Sequence, residues 1–121
     1  MTASVLRTKS KEFAKNIVFL CRNLKQNGVE SALTNQLLRC GTSVGANIHE
    51  AQYAQGTKDF ISKLEIALKE CNESEYWLEL LCETDSLPKA EFNGFQSKCI
   101  ELRRMLVSSI TTLKNHQREG V

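Results

Sequence analysis

The sequence is short of proline and of long apolar runs, and each shortage excludes a class of structure. A single proline, Pro88, leaves most of the chain free to form helices. No apolar stretch approaches the length of a membrane span, and no apolar signal segment follows the first residues. We therefore expect a cytoplasmic protein with no membrane partner. At 121 residues the chain has the length of one domain, so we predict a single domain over 1–121.

The sequence also lacks the spacings that indicate a catalytic or metal site. Its five cysteines are scattered without a CxxC pair, and each lies on or beside an apolar stripe, which favours small buried side chains over metal or redox chemistry. Neither histidine follows a glutamate by three residues, as a di-iron bundle requires. A zinc-protease motif beginning at His49 would need a second histidine where Tyr53 stands. We predict no catalytic residue, no metal site and no cofactor.

What the chain does have is apolar residues at helical spacing in four segments with short connections between them. The pattern predicts helices over Arg7–Gln26, Ser31–Gln55, Thr57–Thr84 and Pro88–Asn115, with His116 to Val121 frayed. The predicted core stripe of the third helix is Phe60, Leu64, Leu68, Cys71, Leu78 and Cys82. Short connections favour antiparallel neighbours, so the predicted fold is all-α, an antiparallel up-down-up-down four-helix bundle.

A polar stripe follows the second predicted helix. Its members, at steps of four, four and three, are Arg39, Ser43, Asn47 and Glu50. At 100° per residue they share an arc of about 80°, and apolar residues border the arc on both sides. A solvated face would not be bordered in this way. We predict a structural polar seam whose members hydrogen-bond with each other or with a neighbouring helix.

Two glycines on the same helix, Gly41 and Gly45, lower its intrinsic helix propensity. Small residues four apart also permit another helix to approach closely. We therefore predict that they lie where a second helix packs against the first.

The third predicted helix has a second apolar face away from its core stripe. The residues of this face are Ile66, Tyr76, Trp77 and Leu80. Surface aromatics that only cover the side of the bundle are the simpler interpretation. Two apolar faces on one helix more often indicate a subunit contact, so we predict an oligomer interface anchored by Tyr76 and Trp77.

Charge is sorted by helix, although the whole chain carries only +2. The first predicted helix has six basic residues and one acidic residue, whereas the segment 57–85 has three basic and eight acidic residues. Five bases of the first helix share an arc of about 80°, and these are Arg7, Lys11, Lys15, Arg22 and Lys25. The last helix, expected beside the first, adds Arg103, Arg104 and Lys114, so the two are expected to share a basic side.

A one-sided basic strip has the charge to bind the phosphates of structured RNA or DNA. We expect no aromatic side chains to interleave with these bases on the helix face, so the pattern does not indicate base stacking. The alternative interpretation is a solvated face, which runs of charge commonly form.

Two stretches of the chain resemble a known family. RCGTSVGANIHEAQ, residues 39–52, and DFISKLEIALKECNESEYWLELL, residues 59–81, are similar to bacterial four-helix-bundle proteins related to the 23S rRNA intervening-sequence protein. The family's second-helix pattern, R-x-x-x-S-[IV]-x-x-N-I-x-E, fits from Arg39 to Glu50, and ELRRML at 101–106 resembles the family's last helix. One departure is Ala51, where many members have glycine after the glutamate.

The resemblance implies a left-handed antiparallel bundle that assembles as a homopentamer. It also implies kinship with the accessory variability determinants of diversity-generating retroelements, similar pentamers whose basic surface binds nucleic acid and a reverse transcriptase. The expected partners are therefore the chain itself, structured RNA or DNA, and a reverse transcriptase or RNA–protein complex.

Two functions stay open at this point. The first is a non-catalytic homo-oligomer that binds nucleic acid through a basic surface. The second is an oligomeric protein–protein scaffold that uses the basic strip for contacts with the acidic third helix of another subunit. A third possibility, a small-molecule or enzymatic bundle, lacks any site signature in the sequence.

Overall fold

Four α-helices form the fold in the computed structural model, which describes residues 2–119, with side chains from Val5 onward. Their bounds are α1 Thr2–Gln26, α2 Ser31–Ala51, α3 Thr57–Glu83 and α4 Lys89–Glu119. The described residues contain no strand, which confirms the predicted all-α class. None of these helices combines the length and the apolar character that crossing a membrane would require.

Contacts between α1 and α2 show that the two helices run in opposite directions. Ile17 fills the space beside Gly41, and the earlier residue Ser10 lies against the later residue Gly45. A Cβ at Gly45 would lie 3.2 Å from the backbone oxygen of Ser10, so the two helices almost touch there. The prediction that these glycines permit close helix packing is confirmed.

The remaining contacts extend the antiparallel arrangement around the bundle. Between α3 and α4, the Cys71 thiol donates to the Cys99 carbonyl oxygen at 3.5 Å, and farther along Glu65 pairs with Lys114 at 2.8 Å. Helices α2 and α3 also pack together, and α4 returns to α1. Each helix therefore contacts the two beside it, which gives the predicted up-down-up-down order.

The α1–α4 contact is the smallest of the four helix contacts. Lys9 pairs with Glu101 at 2.9 Å, and the rings of Phe13 and Phe95 meet edge to face with centroids 6.5 Å apart. The ion pair, through the hydrogen bond from Lys9, holds the pKa of Glu101 below its usual range.

One continuous apolar core runs between the helices. Its largest fully buried aliphatic side chains are Ile17, Leu37, Leu64, Leu78, Leu81, Leu87, Leu102, Leu106 and Val44. All five cysteines are free thiols, and four of them are buried while Cys82 is half-buried. Burial raises the pKa of Cys21 to about 11, so its thiol stays protonated near neutral pH. The cysteines are thus small core side chains, as predicted.

The buried stripe of α3 differs from the predicted one. Leu64, Cys71 and Leu78 are buried as predicted, but Phe60, Leu68 and Cys82 are only partly buried. The remaining buried positions are Ile61, Ala67, Ser74 and Leu81. At 100° per residue, Ala67, Ser74 and Leu81 turn the stripe by about 40° toward the side of α3 that faces α2, whereas Ile61 lies on the side that faces α4.

Three helix ends also differ from the predictions. Helix α1 begins at Thr2 rather than Arg7, and α2 ends at Ala51 rather than Gln55. The α2 end tightens because the next three backbone N–H groups bond to carbonyls three residues back instead of four. Helix α4 continues to Glu119, since residues 116–119 contain no proline or glycine, so the fraying predicted from His116 is wrong up to Glu119. Gly120 and Val121 lie outside the described residues.

The end of α1 follows the glycine pattern of many helix C-termini. Gly28 has φ 81°, a left-handed conformation that costs glycine little. Its N–H bonds to the Lys25 carbonyl, and the next N–H bonds to the Leu24 carbonyl at 3.0 Å. These two hydrogen bonds together form a Schellman cap, which satisfies the last carbonyls of α1 and turns the chain toward α2.

Candidate nucleic-acid interface

A surface groove of about 1020 Å³ lies between α1 and α2. Four bases of the predicted strip line it, and these are Arg7, Lys11, Lys15 and Arg22. Their spacings of four, four and seven residues keep them on one face of α1. The fifth base, Lys25, is exposed in the last turn of α1 and lies outside the lining of the groove. The structure thus brings together four of the five predicted α1 bases in what we call the α1/α2 groove.

The positive charge of the α1/α2 groove is only slightly neutralised. Its one acidic lining residue is Glu12, which pairs with Lys15 at 3.1 Å. Arg7 donates a hydrogen bond to the neutral Gln52 side chain of the turn after α2. Within residues 5–119, neither Lys11 nor Arg22 has an acidic partner at ion-pair distance. The groove therefore keeps a net excess of positive charge facing solvent.

Aromatic side chains share the groove with these bases, which differs from the expectation that none would interleave. Phe19 is 60% exposed and Tyr53 is 71% exposed. The His49 and Tyr53 rings lie 5.6 Å apart, and the Arg22 guanidinium lies 6.0 Å from the centre of the Phe19 ring. At that distance a cation is attracted to the face of the ring. The groove is thus basic and aromatic together.

One of these aromatics had a readable signal in the sequence and the other did not. Phe19 follows Lys15 by four residues and precedes Arg22 by three, which are the spacings of neighbours on one helix face. Tyr53 comes from the turn after α2, where the chain leaves the helix earlier than its pattern predicts. Its position depends on that turn, which sequence spacing does not fix.

The α4 bases lie elsewhere. Arg103 pairs with Glu75 of α3 at 2.8 Å, and Lys114 pairs with α3 as described above. The hydrogen bond to Glu75 raises the pKa of Arg103. Arg104 is exposed and makes no ion pair within residues 5–119. Arg103 and Lys114 therefore do not form a common basic side with α1, because α4 turns them toward the acids of α3.

On the other flank of α2, the polar seam reaches α3 through Arg39. The Arg39 guanidinium pairs with Glu70 at 3.2 Å and also with Glu73. Glu73 in turn accepts a hydrogen bond from the Trp77 indole N–H at 3.0 Å. The hydrogen bonds from Trp77 and Arg39 hold the pKa of Glu73 below its usual range. The Arg39 ion pairs thus join α2 to α3 at the surface, and the Trp77 indole holds one of the two α3 carboxylates in place.

The other seam residues make bonds along their own helix or none. The Ser43 hydroxyl donates to the Arg39 carbonyl at 2.7 Å, and the Asn47 amide donates to the Ser43 carbonyl at 2.8 Å. The Glu50 carboxylate is exposed and has no hydrogen bond or ion pair within residues 5–119. The structure therefore links three of the four seam residues and leaves all four partly or fully accessible to solvent.

The second apolar face of α3 lies beside this seam. Ile66 is 38% exposed and Tyr76 is 56% exposed, while Trp77 and Leu80 are half-buried. The Tyr76 and Trp77 rings meet edge to face with centroids 5.0 Å apart. Because Trp77 also holds Glu73, the aromatic pair is continuous with the Arg39 ion pair. We call this surface, made by Arg39, Ser43, Asn47, Ile66, Tyr76, Trp77 and Leu80, the α2/α3 face.

The fold and its surfaces define a small antiparallel helical bundle whose candidate site is an open groove. In the part of the chain that the structure describes, no three His, Cys, Asp or Glu side chains are grouped so as to hold a metal ion. A family model described as the 23S rRNA-intervening sequence protein matches residues 4–108. The chain belongs to this family, as its motifs indicated.

A solved structure agrees with this family membership. The chain is similar to a protein of unknown function from the S23 ribosomal protein family of Bacteroides thetaiotaomicron, whose crystal structure superposes with a TM-score of 0.89. The two are 45% identical, over 92% of this chain and 99% of that one. No protein with a curated description matches the chain. Neither the family description nor that structure names an enzymatic activity.

Proposed function

We propose that this protein is a non-catalytic homo-oligomer that binds structured RNA or DNA through the α1/α2 groove. The observation that carries the proposal is the meeting of Arg7, Lys11, Lys15 and Arg22 in one groove with a single acid. A row of exposed cations fits a phosphate backbone, because each neutralised phosphate releases condensed counterions. The α4 bases contribute less, since Arg103 is already paired.

The α2/α3 face is the proposed subunit contact, and the family resemblance supplies the homopentamer. This face lies on the flank of α2 opposite the groove, so assembly through it leaves the groove open. A ring of subunits would then present several grooves to one nucleic acid. Contacts that are individually weak would act together through a high effective concentration.

Fluorescence anisotropy at low salt, with an RNA hairpin and a DNA duplex as probes, tests the proposal. Changing Lys11, Lys15 and Arg22 together to Glu should weaken binding to both probes, because phosphate contacts carry little sequence information. Binding by the parent protein should also fall steeply with added salt. The matched control changes Lys58, Lys89 and Arg118 to Glu, with the same change in net charge outside the groove.

The outcomes of this experiment separate the two open functions. No binding by the parent protein, or equal loss in both triple variants, would contradict the groove proposal. The scaffold alternative has one observation in its favour, the exposed α3 acids Glu79 and Glu83, which have no ion-pair partner within residues 5–119. An assembly that dissociates in salt and binds neither probe would support the scaffold.

A further inference from the structure

We infer that the α1/α2 groove takes an unpaired stretch of nucleic acid, whose bases stack on Phe19 and Tyr53 while the cations hold its phosphates. The inference rests on the proposed function and specifies the form of nucleic acid bound. Its evidence is the exposure of the two rings, their position among the cations, and the shape of the groove floor.

The exposure of Phe19 is unusual for this chain. Phe13 and Phe92 are buried, and Phe60 and Phe95 are partly buried, whereas Phe19 is 60% exposed on the rim of the groove. An exposed ring gives little stability to the folded monomer, because its apolar surface stays in contact with water. The same ring offers a flat face on which any base can stack.

Both rings pack against a neighbouring side chain. The Arg22 guanidinium lies against Phe19, and the His49 ring lies beside Tyr53 at 5.6 Å. The backbone N–H of Tyr53 is also fixed, by a 2.9 Å bond to the Glu50 carbonyl. Rings that are already positioned lose less conformational freedom when a base stacks on them.

The cations are spaced to hold the phosphates of a stacked nucleotide. Lys15 and Arg22 lie about one helical turn to either side of Phe19, roughly 6 Å or less along the axis of α1. Long basic side chains cover that distance, so the base can lie on Phe19 while a phosphate meets Lys15 or Arg22. Toward the other end of the groove, Arg7 donates a hydrogen bond to Gln52, which is next to Tyr53.

The floor of the groove is low, which lets a strand approach the rings. Ala14, Gly45 and Ala46 line it, and at Gly45 the α2 backbone lies against the α1 backbone. A duplex presents phosphates and already stacked bases, so the exposed rings would gain no stacking partner from it. An unpaired strand can use the rings and the cations at the same time.

Three probes of equal phosphate number test the inference by anisotropy, each about 16 nucleotides long, the upper end of the site sizes of single-strand-binding folds. They are an oligothymidine strand, the same strand without bases, and a hairpin duplex. The parent protein should bind oligothymidine at least about fivefold more tightly than either of the others. An oligouridine strand, run in parallel, shows whether RNA or DNA is preferred.

The double variant Phe19→Ala, Tyr53→Ala should lose this preference and bind oligothymidine and the base-free strand alike. Its salt dependence should be unchanged, because the cations remain. Val107→Ala, an exposed apolar residue of α4 outside the groove, is the matched control and should keep the preference. Circular dichroism establishes that each variant is folded.

The failures of the two proposals are distinguishable. If the parent protein binds none of the probes, both the proposed function and the stacking inference are overturned. If it binds all three equally and the Lys11, Lys15, Arg22 triple variant does not, phosphate binding stands and stacking is overturned. Retention of the oligothymidine preference by the double aromatic variant also overturns the inference.

Discussion

At Gly41 a single missing methyl group decides how closely α1 and α2 can pack. A Cβ added there would lie 2.8 Å from Cγ2 and 2.9 Å from Cγ1 of Ile17, distances that unstrained side chains do not adopt. Ile17 is fully buried in the core and has no free space to move into. Helix propensity alone favours alanine over glycine, so packing and propensity oppose each other at this position.

We expect the clash with Ile17 to outweigh the gain in helix propensity. Gly41→Ala should lower the free energy of unfolding by about 1–3 kcal/mol, the range typical of overpacked cores. Urea unfolding monitored by circular dichroism measures this. Gly94→Ala in α4 is the matched control, because nothing lies within 4 Å of its added Cβ. That variant should gain up to about 1 kcal/mol from helix propensity.

A second substitution identifies the clash itself. In an Ile17→Ala background the γ carbons that crowd position 41 are absent, so adding Gly41→Ala should cost much less than it does alone. An unchanged cost in that background, or a Gly41→Ala variant as stable as the parent, would contradict the packing argument.

At the level of whole elements, Glu73 links α2 to α3 through a charge. Because the pKa of Glu73 is lowered in the folded protein, its ionised form stabilises the fold. That contribution is complete above the pKa of an unfolded glutamate, about 4.3, and it is lost as pH falls through the lower folded pKa. We therefore expect Glu73→Gln to melt below the parent protein at neutral pH, by a margin that narrows under about pH 4.

Thermal melts across this pH range measure the margin. Glu79→Gln is the control, since Glu79 is exposed on the same helix and has no partner within residues 5–119. It should leave the melting temperature nearly unchanged at every pH, as exposed charges generally do. A margin for Glu73→Gln that is absent, or that does not vary with pH, would contradict a contribution of the Glu73 charge to stability.

The sequence was sufficient to predict the four helices, but it was not sufficient to predict how each helix is rotated about its own axis. Apolar periodicity is a local property, so the four helices and most core residues were predictable from it. On α3, however, Leu81 and Cys82 are adjacent apolar residues, and only packing against α2 decides that Leu81 is the buried one. The stripe was therefore placed about 40° from its true position.

The same limit applied to the candidate site. The α1 strip was predictable because its members lie on one helix and share one face. The direction of the Arg103 side chain was not predictable. Arg103 lies at the edge of the α4 core stripe, so its side chain can turn toward α1 or toward α3. The acidic residues of α3 decide between these two directions, and those residues are distant from Arg103 in the sequence. The link from Arg39 through Glu73 to Trp77 was likewise not predictable, because it depends on the register of α2 against α3.

For the whole molecule, the α2/α3 face predicts self-association. Tyr76→Asp and Ile66→Asp each place a charge on an exposed part of this face, so they should weaken the oligomer without disturbing the monomer core. Trp77→Asp should also dissociate it, but Trp77 packs against the core, so the two exposed positions are the cleaner test. Val107→Asp on α4 is the matched control at a similarly exposed apolar residue.

Sedimentation velocity measures the assembly. The protein concentration is tens of micromolar, which is an approximate ceiling for the Kd of a stable interface. The parent protein and Val107→Asp should sediment as oligomers near the pentamer, and the two face variants as smaller species. A monomeric parent at that concentration would contradict the predicted interface, as would face variants that assemble like the parent.

The small α1–α4 contact has a consequence for how the chain folds. Among residues 2–119, it is the only contact between helices that do not follow one another in sequence. The other three contacts are helical hairpins closed by short loops, and such local contacts form fast. The ring of helices therefore closes last along Lys9–Glu101 and Phe13–Phe95, where its loop-closure entropy is greatest. In the native ensemble the same boundary should open first, with amide protons on the facing sides of α1 and α4 exchanging ahead of those between the two helices of each hairpin.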